Sequence, residues 1–259
     1  MPLSNCCVPP SVDLGPETGG SGQKGAVDGE TGDAVGQTGL IAGASGSARW
    51  RENGVDVICA VYGPRAPTKS RNVDLRGRVE CELRYAPYIT KPRSGGADNQ
   101  QAKDSHANAD SLEKYIAGNI VESIQSSLIL EKYPKMLISI VVNIQSSSEF
   151  MGLDLSASIV CASLALADAS IEMQDLVSAS SIFLSRDGRG ALHDHLDLDA
   201  YEAKSEPPFG MMSVATMHNR SEICNVIFEG RASGAKMSEM IQKCCEKSAT
   251  QRVKMESAF

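Results

Sequence analysis

Apolar residues recur along this chain in two rhythms. In Val55-Asp56-Val57-Ile58-Cys59-Ala60-Val61-Tyr62 they are dense, β-branched and stopped by Gly63-Pro64, which predicts a strand. Val79 to Tyr88 alternates, with Val79, Cys81, Leu83 and Tyr85 on one face, and reads as a second strand paired antiparallel to the first. Leu112, Ile116, Ile120, Ile124 and Leu128 then repeat every four residues behind a cap at Asp110 or Ser111, which predicts an amphipathic helix ending before Pro134. Met136 to Ile144 reads as a buried strand, and Leu155 to Ala169, small and apolar nearly all round, as a buried helix. Val177 to Leu184 is a strand and residues 186–190 a turn. Met211–Met217 and Ile223–Phe228 form a hairpin, and residues 233–252 a final helix with Met237, Met240, Ile241 and Cys244 inward. The order β-β-α-β-α-β-β-β-α describes an α+β (mixed α/β) domain.

Composition changes that picture at the ends and in one connection. Residues 1–46 hold 11 of the 23 glycines, five acids against one base, and no aromatic residue. Such a segment buries too little apolar surface to offset its ordering entropy. We therefore expect a disordered Gly-rich acidic tail over 1–37, one domain over 38–259, and a flexible loop over 92–108. Apolar residues at 42% and charged residues at 22% exclude a wholly disordered chain or a fibre. No uncharged apolar run suggests a bilayer span, and the start lacks the basic-then-apolar order of a secretory signal. The eight cysteines include no C-x-x-C pair, so reduced thiols in a cytosolic or nuclear compartment are expected.

The common nucleotide and nucleophile signatures are absent: no G-x-x-x-x-G-K-[ST], no G-x-G-x-x-G after a strand, no G-x-S-x-G. His193-Asp194-His195, with Asp197 and Asp199, is the densest group of possible metal ligands; the alternative is a solvated polar turn. Charge concentrates between residues 65 and 93, where eight basic residues face three acidic ones and Tyr62, Tyr85 and Tyr88 lie alongside. Phosphates call for Lys and Arg and bases for stacking faces, so single-stranded nucleic acid is one reading. A basic face that meets an acidic neighbouring subunit is the other.

Three stretches, in this order, resemble one family: TGLIAGASGSARWRENGVDVICAVYGP (38–64), RGRVECELRYAPY (76–88) and DLSASIVCASLALADASIEMQDLV (154–177). They are similar to the ribonuclease PH family, most closely to the eukaryotic branch of RNA exosome ring subunits called mRNA transport regulator, third type. The resemblance implies a fold of βαβα-type sheets with packed helices, six-membered rings of related subunits, RNA-binding cap subunits, and single-stranded RNA threaded through the pore. It implies no cofactor, metal or membrane, and action in nucleus, nucleolus and cytoplasm in rRNA processing and mRNA turnover.

Active members of the family use inorganic phosphate to attack the terminal phosphodiester, and hold it with an Arg and backbone N–H groups where the buried helix opens. Here Leu155 falls at the position of that Arg, and Asp154 adds negative charge beside it. Of the family's acidic pair Asp194 matches the first member and Ala200 falls at the second, with Asp199 and Glu202 nearby; Val27-Asp28-Gly29-Glu30 lacks the arginines of the family's opening segment. The resemblance therefore implies a non-catalytic ring subunit; the alternative is an active phosphate-dependent 3′–5′ exoribonuclease. The turn after V-Y-G-P faces the pore in this fold, so Arg65, Lys69 and Arg71 are the expected RNA contacts. Arg76, Arg78 and Arg84 follow, either on RNA or at a subunit interface.

Overall fold

The structure, a computed structural model, describes residues 34–66, 76–89, 105–148, 150–186, 192–195, 210–230 and 232–259. Two sheets organise it. The first contains β1 (Val35–Thr38), β2 (Gly46–Glu52), β3 (Val55–Arg65), β4 (Arg78–Tyr85) and β5 (Leu137–Ser146), in the order β1-β2-β3-β5-β4. The second contains β6 (Val177–Arg186), β7 (Leu192–His195), β8 (Gly210–Met217) and β9 (Glu222–Glu229), in the order β7-β6-β8-β9. Three long helices complete it: α1 (Ser105–Gln125), α2 (Met151–Asp168) and α3 (Gly234–Glu256). The mixed α/β class expected from the pattern holds.

Layering follows from which faces are apolar. α2 packs on β2 and β3 of one sheet and on β6 and β8 of the other, and every residue from Met151 to Leu166 is buried. Its mean hydropathy of 1.4 over 18 residues would suit a bilayer, but 89% of it is enclosed by the protein. α1 lies beside α2 against β4 and β9. β6 alternates: Ala179 and Phe183 join the central core, while Ile182 and Leu184 join Met240 and Cys244 of α3 on the far face. The layers are thus first sheet, α1 with α2, second sheet, α3.

Three expectations are corrected. β4 does not pair with β3. It pairs in parallel with β5, which separates it from β3, because the α1 crossover returns the chain alongside β4. Residues 105–108, expected in a loop, open α1, and α2 begins at Met151 rather than at 155. Ser105, His106 and Asn108 hid the first turn of α1 from a pattern built on apolar spacing, while α2 reaches back past Asp154 to take in Met151, Gly152 and Leu153. The hairpin β8–β9 is antiparallel as expected. Among the described residues Cys59, Cys81, Cys161, Cys224, Cys244 and Cys245 are unbridged. Residues 1–33, the greater part of the expected tail, lie outside the described residues, as do Cys6 and Cys7.

Candidate nucleic-acid interface

Gly63 sets the geometry at the end of β3. Its φ is 131°, and a Cβ there would lie 2.7 Å from the Leu137 carbonyl oxygen, so only glycine fits. A bulge between Tyr62 and Arg65 lets Arg65 face Leu137 on β5, and Arg78 on β4 faces the same Leu137 from the other side. Directly paired residues point to one face, so Arg65, Leu137 and Arg78 form a row, with the two arginines about 10 Å apart across two strand spacings. Arg65 is exposed and donates to Ser139 Oγ at 3.0 Å. Arg76, two residues before Arg78, is exposed and ion-paired with Glu131 at 3.3 Å. The structure therefore brings Arg65, Arg76 and Arg78 to one end of the first sheet.

It does not bring Arg84 there. Arg84 lies six residues along β4 from Arg78, about 20 Å at strand rise, in a row with Asn143, Ile58 and Arg49. Its guanidinium donates to Glu82 at 3.0 and 2.8 Å, and the Glu82 carboxylate raises its pKa, with Glu113 and Asp110 adding to the effect. Lys69 and Arg71 lie outside the described residues, as do Asp197, Asp199, Ala200 and Glu202. The His193-Asp194-His195 backbone is not a turn but part of β7, against Phe183 to Ser185 of β6. Among the described residues no three His, Cys, Asp or Glu side chains sit close enough to share a metal ion.

The opening of α2 is closed from inside. Leu155 is fully buried in the core. Asp154, also fully buried, sits in the first helical turn, where a negative charge is favoured by the helix dipole. Its Oδ2 accepts hydrogen bonds from Ser147 Oγ at 2.7 Å and Tyr85 Oη at 3.1 Å, and the Ser148 backbone N–H also reaches the carboxyl. Burial pushes its pKa up to about 6, while those donors pull the other way. The Tyr85 hydroxyl is pushed up in turn, chiefly by burial and then by the Asp154 charge. Gly152 lies against Met211 of β8, where a Cβ would meet its sulfur at 2.3 Å, and its carbonyl accepts from Ser181 Oγ at 2.7 Å. Two N–H groups of this terminus, of Leu153 and Asp154, are taken up by the Phe150 carbonyl. The sequence flagged Asp154 and Leu155, but not Tyr85 and Ser147, which become partners of Asp154 only through the fold.

At the other end of α2 the first and third motif stretches meet. Ser47 N–H donates to Asp168 Oδ2 at 2.8 Å, and a Cβ on Gly46 would lie 2.2 Å from the Ala169 nitrogen. Gly-Ser-Ala on β2 is therefore the seat for Ala-Asp-Ala at the helix end. A sequence model described as the 3′ exoribonuclease family, domain 1, matches residues 33–172, which span both motifs and the whole first sheet. The chain belongs to the 3′ exoribonuclease family.

Relatives within this 3′ exoribonuclease family carry exosome names. The exosome complex component mtr3 of Schizosaccharomyces pombe is 28% identical over 218 residues, covering 83% of this chain and 78% of that protein. The exosome complex component RRP41-like of Arabidopsis thaliana is 27% identical over 216 residues, covering 83% and 75%. The exosome complex component Rrp41 of Pyrobaculum aerophilum is 31% identical over 191 residues, covering 71% of each. Among solved structures, rice Rrp46 shares the fold with a TM-score of 0.63 at 19% identity, covering 88% of this chain and 94% of that one. The Archaeoglobus fulgidus exosome with RNA bound to the active site gives 0.61 at 15%, covering 86% and 87%.

Proposed function

We propose that this 3′ exoribonuclease family chain is a non-catalytic subunit of the exosome core ring, serving RNA processing and degradation by building the ring and lining the path of single-stranded RNA. Three relatives are named exosome complex components, which supports the assembly. Its partners are other ribonuclease PH-type ring subunits and RNA-binding cap subunits, and it acts in nucleus, nucleolus and cytoplasm.

The observation that carries the non-catalytic reading is the α2 terminus. Leu155 offers no cation to an anion there, and the buried Asp154 carboxyl, held by Ser147 and Tyr85, takes up that end of the helix. Phosphate would have to displace an internal negative group and enter a site without its Arg. RNA contacts are assigned first to Arg65, Lys69 and Arg71; Arg76 and Arg78, and Arg84 at the other end of β4, are assigned to RNA or to a subunit contact.

The test uses the assembled complex. With Arg65, Lys69 and Arg71 each replaced by Glu, single-stranded RNA affinity falls and its dependence on salt flattens. Unchanged affinity rejects the RNA-path assignment. The purified chain, given RNA and inorganic phosphate, should release no nucleoside diphosphate; release would establish the alternative, a phosphate-dependent exoribonuclease.

A further inference from the structure

We propose that the cleft below the Arg65–Arg78 end of the first sheet is a pocket for one splayed base of single-stranded RNA. The proposal rests on the RNA-path reading and narrows it to a site. The cleft holds about 260 Å³, with Leu128 and Leu130 among its lining and Arg76, Gln125, Glu131 and Gln174 as its polar groups. That volume falls below the roughly 300–1,000 Å³ of pockets for drug-sized ligands, so it suits one planar ring system and not the face of a helix.

Its lining has the chemistry of a base. Leu128 and Leu130 belong to the main core and give the cleft a small apolar floor, on which the edge of a π-face can rest. Base edges carry mixed donors and acceptors, and so do the two glutamine amides. Arg220 donates to Gln174 Oε1, which leaves the Gln174 amide N–H₂ as a donor. The Gln125 amide is uncommitted among the described residues. Backbone groups beneath are already paired: Gly77 N–H with Leu130 C=O, Ile129 N–H with Glu172 C=O, and Gln174 N–H with Ser127 C=O. An extended peptide, which is held through backbone hydrogen bonds, finds those groups taken. A base, recognised by its faces and edges, does not need them.

Charge supplies the remaining contact. Arg76 and Glu131 pair at 3.3 Å with both side chains about three-quarters exposed (76% and 75%), an arrangement that holds weakly in water. A nucleotide phosphate offers Arg76 a stronger, bidentate partner. Glu131 remains at the rim as a like charge against a second phosphate, which limits the pocket to one nucleotide. Arg76 is two residues from Arg78, so the base enters beside a strand whose phosphates follow the Arg65–Arg78 row.

The test uses the full chain, two probes and the double variant Gln125→Ala/Gln174→Ala. A short single-stranded RNA carrying 4-thiouridine is photo-crosslinked and the site mapped by mass spectrometry; separately, AMP and UMP are titrated. We expect crosslinks within residues 125–131 or at Gln174, and the double variant to lower both that crosslink and mononucleotide affinity about tenfold, equivalent to losing one modest base contact. Total RNA affinity, set by the arginines, should change much less. RNA bound at full affinity but crosslinked elsewhere, with no mononucleotide binding, overturns the pocket and leaves the RNA path standing. Mononucleotide binding without RNA binding rejects the path and with it the assignment of this pocket to an RNA base. A partner protein crosslinked at Gln125 in the assembled complex assigns the cleft to protein and overturns the proposal.

Discussion

At Asp154 a carboxyl group is enclosed among Ser147, Ser148 and Tyr85, with its Oδ1 and the neighbouring Ser148 Oγ both buried and unpaired. Its folded pKa of about 6 stands above the ordinary 3.8, so the folded chain binds this proton more tightly than the unfolded chain does. The stability this contributes is full below about pH 4 and is lost as pH rises through about 6. Some two units at 1.36 kcal/mol each make the cost at neutral pH about 3 kcal/mol. Asp154→Asn removes that dependence while keeping an acceptor for the two hydroxyls and adding donors for Ser148 Oγ. Urea unfolding should show the variant more stable than the parent at pH 7.5, with the difference shrinking towards pH 5. A difference independent of pH would show that the carboxyl does not titrate in the folded state. Asp154 was legible as a charge in the wrong place for an anion. Its donors were not, because Tyr85 lies 69 residues away in sequence and only the sheet brings it close.

At the scale of elements, periodicity located most strands and helices but not their partners. β4 shows the alternation expected of a half-buried strand, with Val79, Leu83 and Tyr85 inward. Nothing in that alternation says which neighbour supplies its hydrogen bonds; the α1 crossover decides it. β1 was missed by the apolar pattern because Val-Gly-Gln-Thr is short and mostly polar, and it is held by pairing with β2. β2 was not read as a strand either, although it lies within the first motif stretch, and the reason for its glycine comes only from the fold. A Cβ at Gly46 would lie 2.5 Å from the Ala165 oxygen and 2.6 Å from Ala169 Cα, all backbone that cannot turn aside. Gly46→Ala should therefore cost about 2–3 kcal/mol in urea unfolding, by prising β2 from the end of α2. A loss below about half a kcal/mol, the scale of a neutral surface change, would mean the helix end shifts freely.

Across the whole molecule, α3 ties the two sheets together at its C-terminal end. Arg252 meets Asp175, next to β6, at 2.6 Å, both side chains nearly buried. Asp175 also accepts from the Asn219 backbone and side chain in the β8–β9 turn. Gln251 reaches Glu52 on β2 at 2.6 Å, and the Trp50 indole N–H donates to the same carboxylate. Arg252→Met should cost about 3–5 kcal/mol, because it leaves Asp175 charged and buried without its cation. Adding Asp175→Asn should recover part of that loss, and a double-mutant cycle reads the coupling directly. Sequence periodicity gave α3 its inward Met240 and Cys244 but not this clasp, whose partners come from elements far apart in the chain.

The position of β5 has a consequence for how the chain is made. It lies inside the first sheet, hydrogen-bonded to β3 on one side and β4 on the other, yet it is the last of the five strands in chain order. During synthesis β1, β2 and β3 emerge as a meander with one open edge, and β4 emerges with no strand to join. Only when residues 137–146 leave the ribosome does a single insertion cover that edge and capture β4. Until then the nascent chain carries an exposed Val-Ile-Cys-Ala-Val strand, a surface that a chaperone or a second nascent copy can occupy first.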